Sequence, residues 1–488
     1  MVIPVEQEKF LGSLPKDHSA LLNRVQSIAK SQSAKILSES LELFASENLL
    51  VCVFQIPQKK GLNREDRIRL AASRIGEWQK SRTLARIAVT ADLLTPEEFR
   101  ALCEGFLISD YDFRKYKSEK KPEQKGNNEI LILTSGANLK VNALALEEAS
   151  VICRQINHCR DLVNEPGSSL DPQGFAEYAG KAAKEFRLSI KIRDERKLRD
   201  EGFHGLWTVG KGSDLPPRMV TLGYDGGKAA KAGGKTSGAG KNGKNASAHL
   251  VLVGKGITFD TGGISIKPSQ SMWEMKSDMA GAATVLSALC AIAALKLPIK
   301  VSAVLCLAEN RPGNAAVLPG DIFTAKNGKT VMVDNTDAEG RLVLTDGLAE
   351  AGFLGATHII DLATLTGAIV RAIGPSMAGL FCNDTAFSKT MFTAAESAGE
   401  KFVAMPLEEE YREYLDDPVA DMKNVGKSEA GAITAALFLQ EFVPAKTAWS
   451  HWDIAGTAFT TAPWKYYKPG ATGWGVKTLV EVAKGLAG

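Results

Sequence analysis

Through about residue 150 the chain alternates apolar runs, "LLVCVFQI", "ARIAVTA" and "EILILTS", with stretches such as "REDRIRLAASRIGEWQKS", whose apolar residues recur every three to four positions. Short apolar runs fit buried strands and the longer period fits helices with one apolar face, so residues 1–150 read as a small α/β domain. The helical pattern "LALEEASVICRQINHCRDLVN" then meets "EPGSSLDPQ", where Pro and Gly break it. Residues 151–170 are expected to form a connecting helix and linker. From 171 to 488 the rhythm repeats with stronger strands: "MVTLGY", "HLVLVG", "VSAVLCLA", "TVMV", "THIIDLA" and "TAWSHWDI". Near-continuous apolar strands separated by helices predict a larger α/β domain with a mostly parallel central sheet flanked by helices.

Two stretches depart from this rhythm. Residues 114–129 are polar and basic, as in a solvated loop, and residues 226–248 are entirely Gly, Lys, Ala, Ser, Thr and Asn. The second stretch has too little apolar surface to join a core and is expected to be a flexible surface insertion.

With 488 residues the chain is long enough for two or three domains. Its 59 basic and 56 acidic residues leave a formal net charge of +3, which gives no reason to expect nucleic acid or an anionic membrane as partner. The first residues carry no basic-then-apolar leader, and no apolar run is expected to span a bilayer, so a cytoplasmic protein is the default expectation. Seven scattered cysteines without a C-x-x-C pair suggest reduced buried thiols rather than disulfides or a thiolate metal site.

Several familiar signatures fail on inspection. "GGKT" at 233–236 would need a glycine at position 229, which is Ala229, and the "GKGITF" that starts at Gly254 has Phe259 where a dinucleotide loop has its third glycine. No G-x-S-x-G or H-E-x-x-H occurs. His451, in "SHWDIAG", fits a core or supporting histidine better than a metal ligand.

The charged residues that stand out follow strands. "DNTDAEGRL" places Asp337, Glu339 and Arg341 at alternate positions after "TVMV", a spacing that aims all three to one side if the segment is extended. Alone, the stretch is as compatible with a solvated turn and a local ion pair. "VGKGITFDTGGISIKPSQSMWEMKSDMAGAATV" adds Lys255, Asp260, Lys267 and Asp278, with Met275, Asp278, Ala282, Val285 and Leu289 spaced as one stripe of a helix. A carboxylate on such a stripe is buried, and paired either with a lysine or with a metal. Ligand sites in open parallel sheets lie beyond the carboxyl ends of the strands, where "HLVLVG", "TVMV" and "THIIDLA" would bring these groups together with backbone of Thr364, Leu365 and Gly367. Four carboxylates in one pocket must take up protons or cations, and two divalent ions would balance them. Oxygen donors with one amine suit Zn²⁺ or Mn²⁺.

"NTDAEGRL", with "VGKGITFDTGG", "SDM", "DLATLTGA" and "DIAG", closely resembles the leucyl (cytosol) aminopeptidase family of dinuclear metallopeptidases, as do "RDLVNEPG", "GSDLPPR", "ENRPGNA" and "PVADMKNVG". The resemblance implies an exopeptidase that releases leucine and other apolar amino-terminal residues from peptides by means of a water activated by two metals. It implies one metal on Asp260, Asp337 (with its main-chain carbonyl) and Glu339, and another on Lys255, Asp260, Asp278 and Glu339. It further implies that Lys267 stabilises the oxyanion, and that Arg341 holds a bicarbonate or carbonate ion acting as base. Met275, Thr364, Gly367, Ala455 and Ala458 would line the first-residue pocket, and the assembly would be a homohexamer. Two rival functions remain at this point: a binding protein in which the first domain or the basic insertion contacts nucleic acid, and a dinuclear hydrolase of another small amide or phosphoester.

Overall fold

A computed structural model of the chain describes residues 2–5, 40–46, 49–57, 59–91, 94–118, 129–134, 138–226 and 248–488. The basic insertion, apart from its end residues, and the centre of the 114–129 loop lie outside the described residues. The chain forms two compact units, one of residues Met1–Arg154 with Pro463–Lys468, the other of Gln155–Ala462 with Pro469–Gly488.

The first unit is a five-stranded sheet of β1 (Val2–Val5), β2 (Ser40–Ser46), β3 (Leu49–Gln55), β4 (Arg86–Thr90) and β5 (Glu129–Leu133), in the order β2-β3-β1-β4-β5. Helix α1 (Arg64–Ser81) starts where the Asn63 side chain accepts from the Asp66 amide at 2.9 Å. Helix α2 (Pro96–Ser109) starts in a reciprocal cap between Thr95 and Glu98, with Pro96 at its first position. Each cap satisfies amides that the helix cannot bond internally. Ile68, Ala72 and Ile75 of α1 share one core with Leu102 and Phe106 of α2 and Ile87 and Val89 of β4. Inside this unit Arg69 is buried between Glu104 (2.6 Å) and Asp66 (3.0 Å). Lys465 reaches Asp66 at 2.6 Å, and the Tyr466 hydroxyl donates to it at 3.4 Å. No sequence pattern signals that 463–468 pack with this unit.

Helix α3 (Leu139–Asn164) leads into the second unit, where α4 (Pro172–Phe186), β6 (Ser189–Arg193), α5 (Glu195–Asp200), α6 (His204–Gly210), β7 (Arg218–Asp225) and β8 (His249–Asp260) follow. Then come α7 (Ala280–Ala294), β9 (Lys300–Asn310), β10 (Ile322–Thr324), β11 (Thr330–Met332), α8 (Glu339–Phe353), β12 (His358–Ala363), α9 (Gly367–Ile373), β13 (Ala378–Cys382) and α10 (Thr385–Ala398). The chain closes with β14 (Phe402–Ala404), β15 (Met422–Lys423), α11 (Gly431–Gln440), β16 (Ala448–Asp453), a short hairpin and α12 (Val476–Ala487). The main sheet runs β14-β13-β16-β12-β8-β9-β7-β6. Its centre, β16-β12-β8-β9, is parallel, while β13 joins β16, β7 joins β9 and β6 joins β7, each antiparallel.

Val251 and Val253 of β8 share a core with Leu342, Leu344 and Leu348 of α8 and Leu437 and Phe438 of α11. On the opposite face α7 lies against the strand so closely that a Cβ at Gly254 would stand 2.5 Å from the Ala282 Cα. The small residues of α7 are therefore what brings its amino-terminal end, and the preceding Asp278, down onto β8 beside Lys255.

Four sequence expectations change. "TVMV" contributes β11 not to the main sheet but to a separate three-stranded sheet, β10-β11-β15, because it pairs with β10 and β15. Asp337, Glu339 and Arg341 are not on an extended segment: Asp337 lies in a turn and Glu339 opens α8, so Arg341 is in its first helical turn. The stripe from Met275 to Leu289 is not one helix, since a 3-10 turn (Met272–Ser277) ends at Asp278 before α7 begins. Together those two pieces, Met272–Ala294, are apolar and long enough to cross a membrane, contrary to the expectation from the sequence, but most of the stretch is buried inside the protein as a core element.

Candidate metal centre

The charged residues meet where β8 ends, the 261–271 loop begins and α8 starts. Lys255, buried on β8, places Nζ 2.8 Å from Asp278 Oδ2 and 2.8 Å from Glu339 Oε1, and donates to the Thr364 carbonyl at 3.0 Å. Lys267 places Nζ 2.7 Å from Asp260 Oδ2 and 2.5 Å from Asp337 Oδ1. One oxygen each from Asp260, Asp337 and Glu339 lies within 4.8 Å of the others. The Thr364 hydroxyl donates to Asp278 Oδ1 at 2.6 Å. Thus Lys255, Asp260, Lys267, Asp278, Asp337, Glu339 and Thr364 come together, although the turn-then-helix route differs from the one the alternation suggested.

The loop between Asp260 and Lys267 is held by local bonds. The Gly262 amide donates to Asp260 Oδ1 at 2.8 Å, and the Thr336 hydroxyl donates to the Gly262 carbonyl at 2.6 Å while accepting from the Ser265 amide at 2.8 Å. Gly262 has φ +88°, a conformation that favours glycine. Gly340 is required by proximity instead: a Cβ there would sit 2.7 Å from Lys255 Nζ.

Four carboxylates face two ammonium groups, and the imbalance is visible in their ionisation. Burial pushes the Asp278 carboxyl well up, and the Glu339 and Asp260 charges add to this against the pull of Lys255. Burial and Glu339 raise Asp260, and burial and Asp260 raise Asp337. Burial alone would lower Lys255 and Lys267, but the surrounding carboxylates outweigh it and hold both ammonium groups above their ordinary range. Asp278 Oδ2 and Glu339 Oε1 are buried 2.8 Å from the Lys255 ammonium, and Asp337 Oδ1 is buried 2.5 Å from that of Lys267. Buried carboxylates that outnumber the ammonium groups beside them fit divalent cations with a preference for hard donors. A bound ion would also reverse the local logic for Lys255, favouring the neutral amine.

Arg341 is buried, and its Nη1 donates to the Asn424 carbonyl at 2.8 Å. Burial lowers its pKa to about 10 against the opposing charges of Glu339 and Asp453. Leu365 follows Thr364, and its amide donates to Asp453 Oδ1 at 3.1 Å; the Ala455 amide donates to the same oxygen at 3.2 Å. Gly367 opens α9, and Ala455 packs against the buried cluster of Ile369, Phe381, Ala432 and Ala436. Met275 lies in the 3-10 turn before Asp278, and Ala458 is buried after the "DIAG" turn, its amide donating to the Ile454 carbonyl at 3.1 Å. His451 stays in the core, its Nδ1 2.5 Å from Asp361 Oδ1 and its ring stacked on Phe381.

Three supporting residues escaped the sequence reading. Asn310 Nδ2 donates to Asp260 Oδ1 at 2.8 Å and to the Thr336 carbonyl at 3.0 Å. Asp453 collects the Leu365 and Ala455 amides and the Thr366 hydroxyl, and Asn424 supports the turn that carries Asp337. All three stand in motifs already noted, "ENRPGNA", "DIAG" and "PVADMKNVG", where only their membership in those motifs marks them.

Residues 157–480 match the model of the "Cytosol aminopeptidase family, catalytic domain". A "Probable cytosol aminopeptidase" of Solibacter usitatus is 43% identical over 406 residues, covering 83% of this chain and 80% of that protein. One from Geotalea uraniireducens is 38% identical over 485 residues, covering 99% and 90%. Among solved structures, the "Bottromycin maturation enzyme BotP in complex with Mn" superposes with TM-score 0.83 at 30% identity, covering 100% of this chain and 99% of that one. A mutant of tomato leucine aminopeptidase does so with TM-score 0.82 at 31% identity, covering 99% and 93%.

Proposed function

The chain belongs to the cytosol aminopeptidase family and is a metal-dependent aminopeptidase, and from that premise we propose that it removes leucine and other apolar residues from the amino termini of peptides with two divalent ions, Zn²⁺ or Mn²⁺, at this centre. The observation that carries the reading is the convergence of Asp260, Asp278, Asp337 and Glu339 around the ammonium groups of Lys255 and Lys267, with one oxygen each of Asp260, Asp337 and Glu339 within 4.8 Å of the others. Asp260, Asp337 and Glu339 would hold one ion, with the Asp337 carbonyl, and Lys255, Asp260, Asp278 and Glu339 the other. When bound, such ions lower the pKa of water and polarise the scissile carbonyl.

The protein's own groups supply the rest. Thr364 fixes both Asp278 and Lys255, so the carboxylate and amine are presented without reorganisation. Lys267 keeps a full positive charge between Asp260 and Asp337 and stabilises negative charge that develops on the carbonyl oxygen. Arg341, with a pKa of about 10, remains cationic at neutral pH and can retain a bicarbonate or carbonate ion as proton acceptor. Met275, Ala455 and Ala458, with backbone of Thr364, Leu365 and Gly367, would form the first-residue pocket, and the side chains they offer are apolar or small. Action in the cytoplasm and a homohexameric assembly complete the proposal.

The test is to strip the protein with chelator and reconstitute it separately with Zn²⁺, Mn²⁺ and Co²⁺. Leucine amide should then be hydrolysed, aspartate amide poorly, and N-acetyl-leucine amide not at all, since acetylation removes a basic amine that aligns the substrate. Full activity without detectable metal would overturn the centre, and internal cleavage of blocked peptides at comparable rates would overturn the exopeptidase assignment.

A further inference from the structure

A loop with as many competing charges as 334–341 needs something to hold it in one geometry, and the structure supplies a physical device for it. Asn424, fully buried just after β15, is about ninety residues away in the chain, and its amide nitrogen continues the β11–β15 ladder by donating to the Met332 carbonyl at 3.0 Å. Its side-chain oxygen accepts from the Asp334 amide at 2.8 Å and the Asn335 amide at 3.2 Å. Its side-chain nitrogen donates to the Asn335 carbonyl at 2.8 Å and the Ala338 carbonyl at 3.4 Å. Its main-chain carbonyl accepts from Arg341 Nη1 at 2.8 Å.

One residue therefore holds the turn that carries Asp337, the start of the helix that carries Glu339, and the guanidinium of Arg341. We propose that Asn424 is a positioning residue for catalysis, acting through Arg341 and through the Asp337–Glu339 turn; the Arg341 part rests on the role given to Arg341 above. An amide side chain is suited to this place because it offers acceptor and donor side by side. Aspartate would face the Asn335 and Ala338 carbonyls with a carboxylate, and alanine would take this partner from two amides and two carbonyls of the turn. Arg341 depends on the same backbone: among the described residues its Nε has no hydrogen bond, and the hydrogen bond the guanidinium makes is from Nη1 to the Asn424 carbonyl. A shift of the 424 backbone would carry the guanidinium with it, and displacements of about 1 Å cost on the order of a hundredfold in rate.

The test uses the full-length protein, Mn²⁺-saturated for kinetics and metal-free for hydrogen exchange. Variants N424A, N424D, R341K and R341K/N424A are compared by kcat and KM on leucine amide, by Mn²⁺ content, and by exchange of the peptide containing Asp334 and Asn335. For N424A we expect faster exchange in that peptide and a kcat lowered roughly tenfold to a hundredfold, with KM changed less than about threefold. R341K should cost at least about tenfold alone but less than about threefold when added to N424A, because both changes act on one placement. Where N424D fails to fold, N424A carries the test. A folded N424A with native kcat overturns the inference, and so do effects of N424A and R341K that simply multiply. If R341K alone leaves kcat unchanged, the role given to Arg341 fails, and the inference through Arg341 falls with it.

Discussion

Gly340→Ala separates catalytic geometry from stability, because the structure gives the two effects opposite signs. A methyl at position 340 would lie 2.6, 2.7 and 2.8 Å from the Cε, Nζ and Cδ of Lys255, and ordinary contact begins near 3.4 Å. The amine must retreat by about 0.7 Å, the difference between those values at Nζ. It starts 2.8 Å from each of Asp278 and Glu339 and 3.0 Å from the Thr364 carbonyl, so the retreat breaks the arrangement that would present it to a metal. The obstacle is the flexible end of a side chain, so the fold can accommodate it, while alanine favours the helix over glycine by up to about 1 kcal/mol. We expect an unchanged or raised melting temperature, weaker binding of one metal by titration, and kcat/KM for leucine amide down roughly tenfold to a hundredfold. A folded Gly340→Ala variant with native metal affinity and native kcat/KM would refute the placement of Lys255 in the chemistry.

Lys267→Ala should lower kcat by about a hundredfold to a thousandfold while elemental analysis still finds both metals, because the lost cation acts on the transition state; loss of metal would assign it to binding instead. Asp346 provides a pH test away from the centre. Its carboxyl accepts from the Leu206 amide at 2.7 Å, and burial raises its pKa to about 7, only partly offset by the Leu206 and Gly205 amides. The folded state thus holds a proton that the unfolded chain loses near pH ~4, so this group's contribution is full below that pH and is lost as pH rises toward 7. Between about pH 5 and pH 8 the stability of the metal-free native protein should fall relative to Asp346→Asn by up to about 3 kcal/mol in urea unfolding; parallel pH profiles would show that Asp346 is not protonated in the fold.

The strands of the main sheet are legible in the sequence because their apolar runs are long and buried on both faces, as in β8, β9 and β12. The centre is legible in its members but not in its route. Asp337, Glu339 and Arg341 fit an alternation, yet a tight turn and the start of α8 converge them instead, and a periodicity of two cannot distinguish these over so short a stretch. Asp278 is buried as its spacing suggests, but not because it lies on a helical stripe; it terminates a 3-10 turn whose following helix is drawn against the sheet by glycine and alanine. Asn310 and Asn424 are invisible for a different reason. Neutral amides carry no charge or periodicity to single them out, and their importance comes from partners tens of residues away.

Residues 463–468 carry a consequence for how the chain is made. Asp66 meets Lys465 across 399 residues, so during synthesis from the amino terminus the first unit emerges long before the segment that completes its buried charge cluster. Until then Arg69, Asp66 and Glu104 must manage without that ammonium group. The buried charge cluster of the first unit therefore has its full set of partners only once residue 465 has been synthesised, after nearly the whole of the second unit.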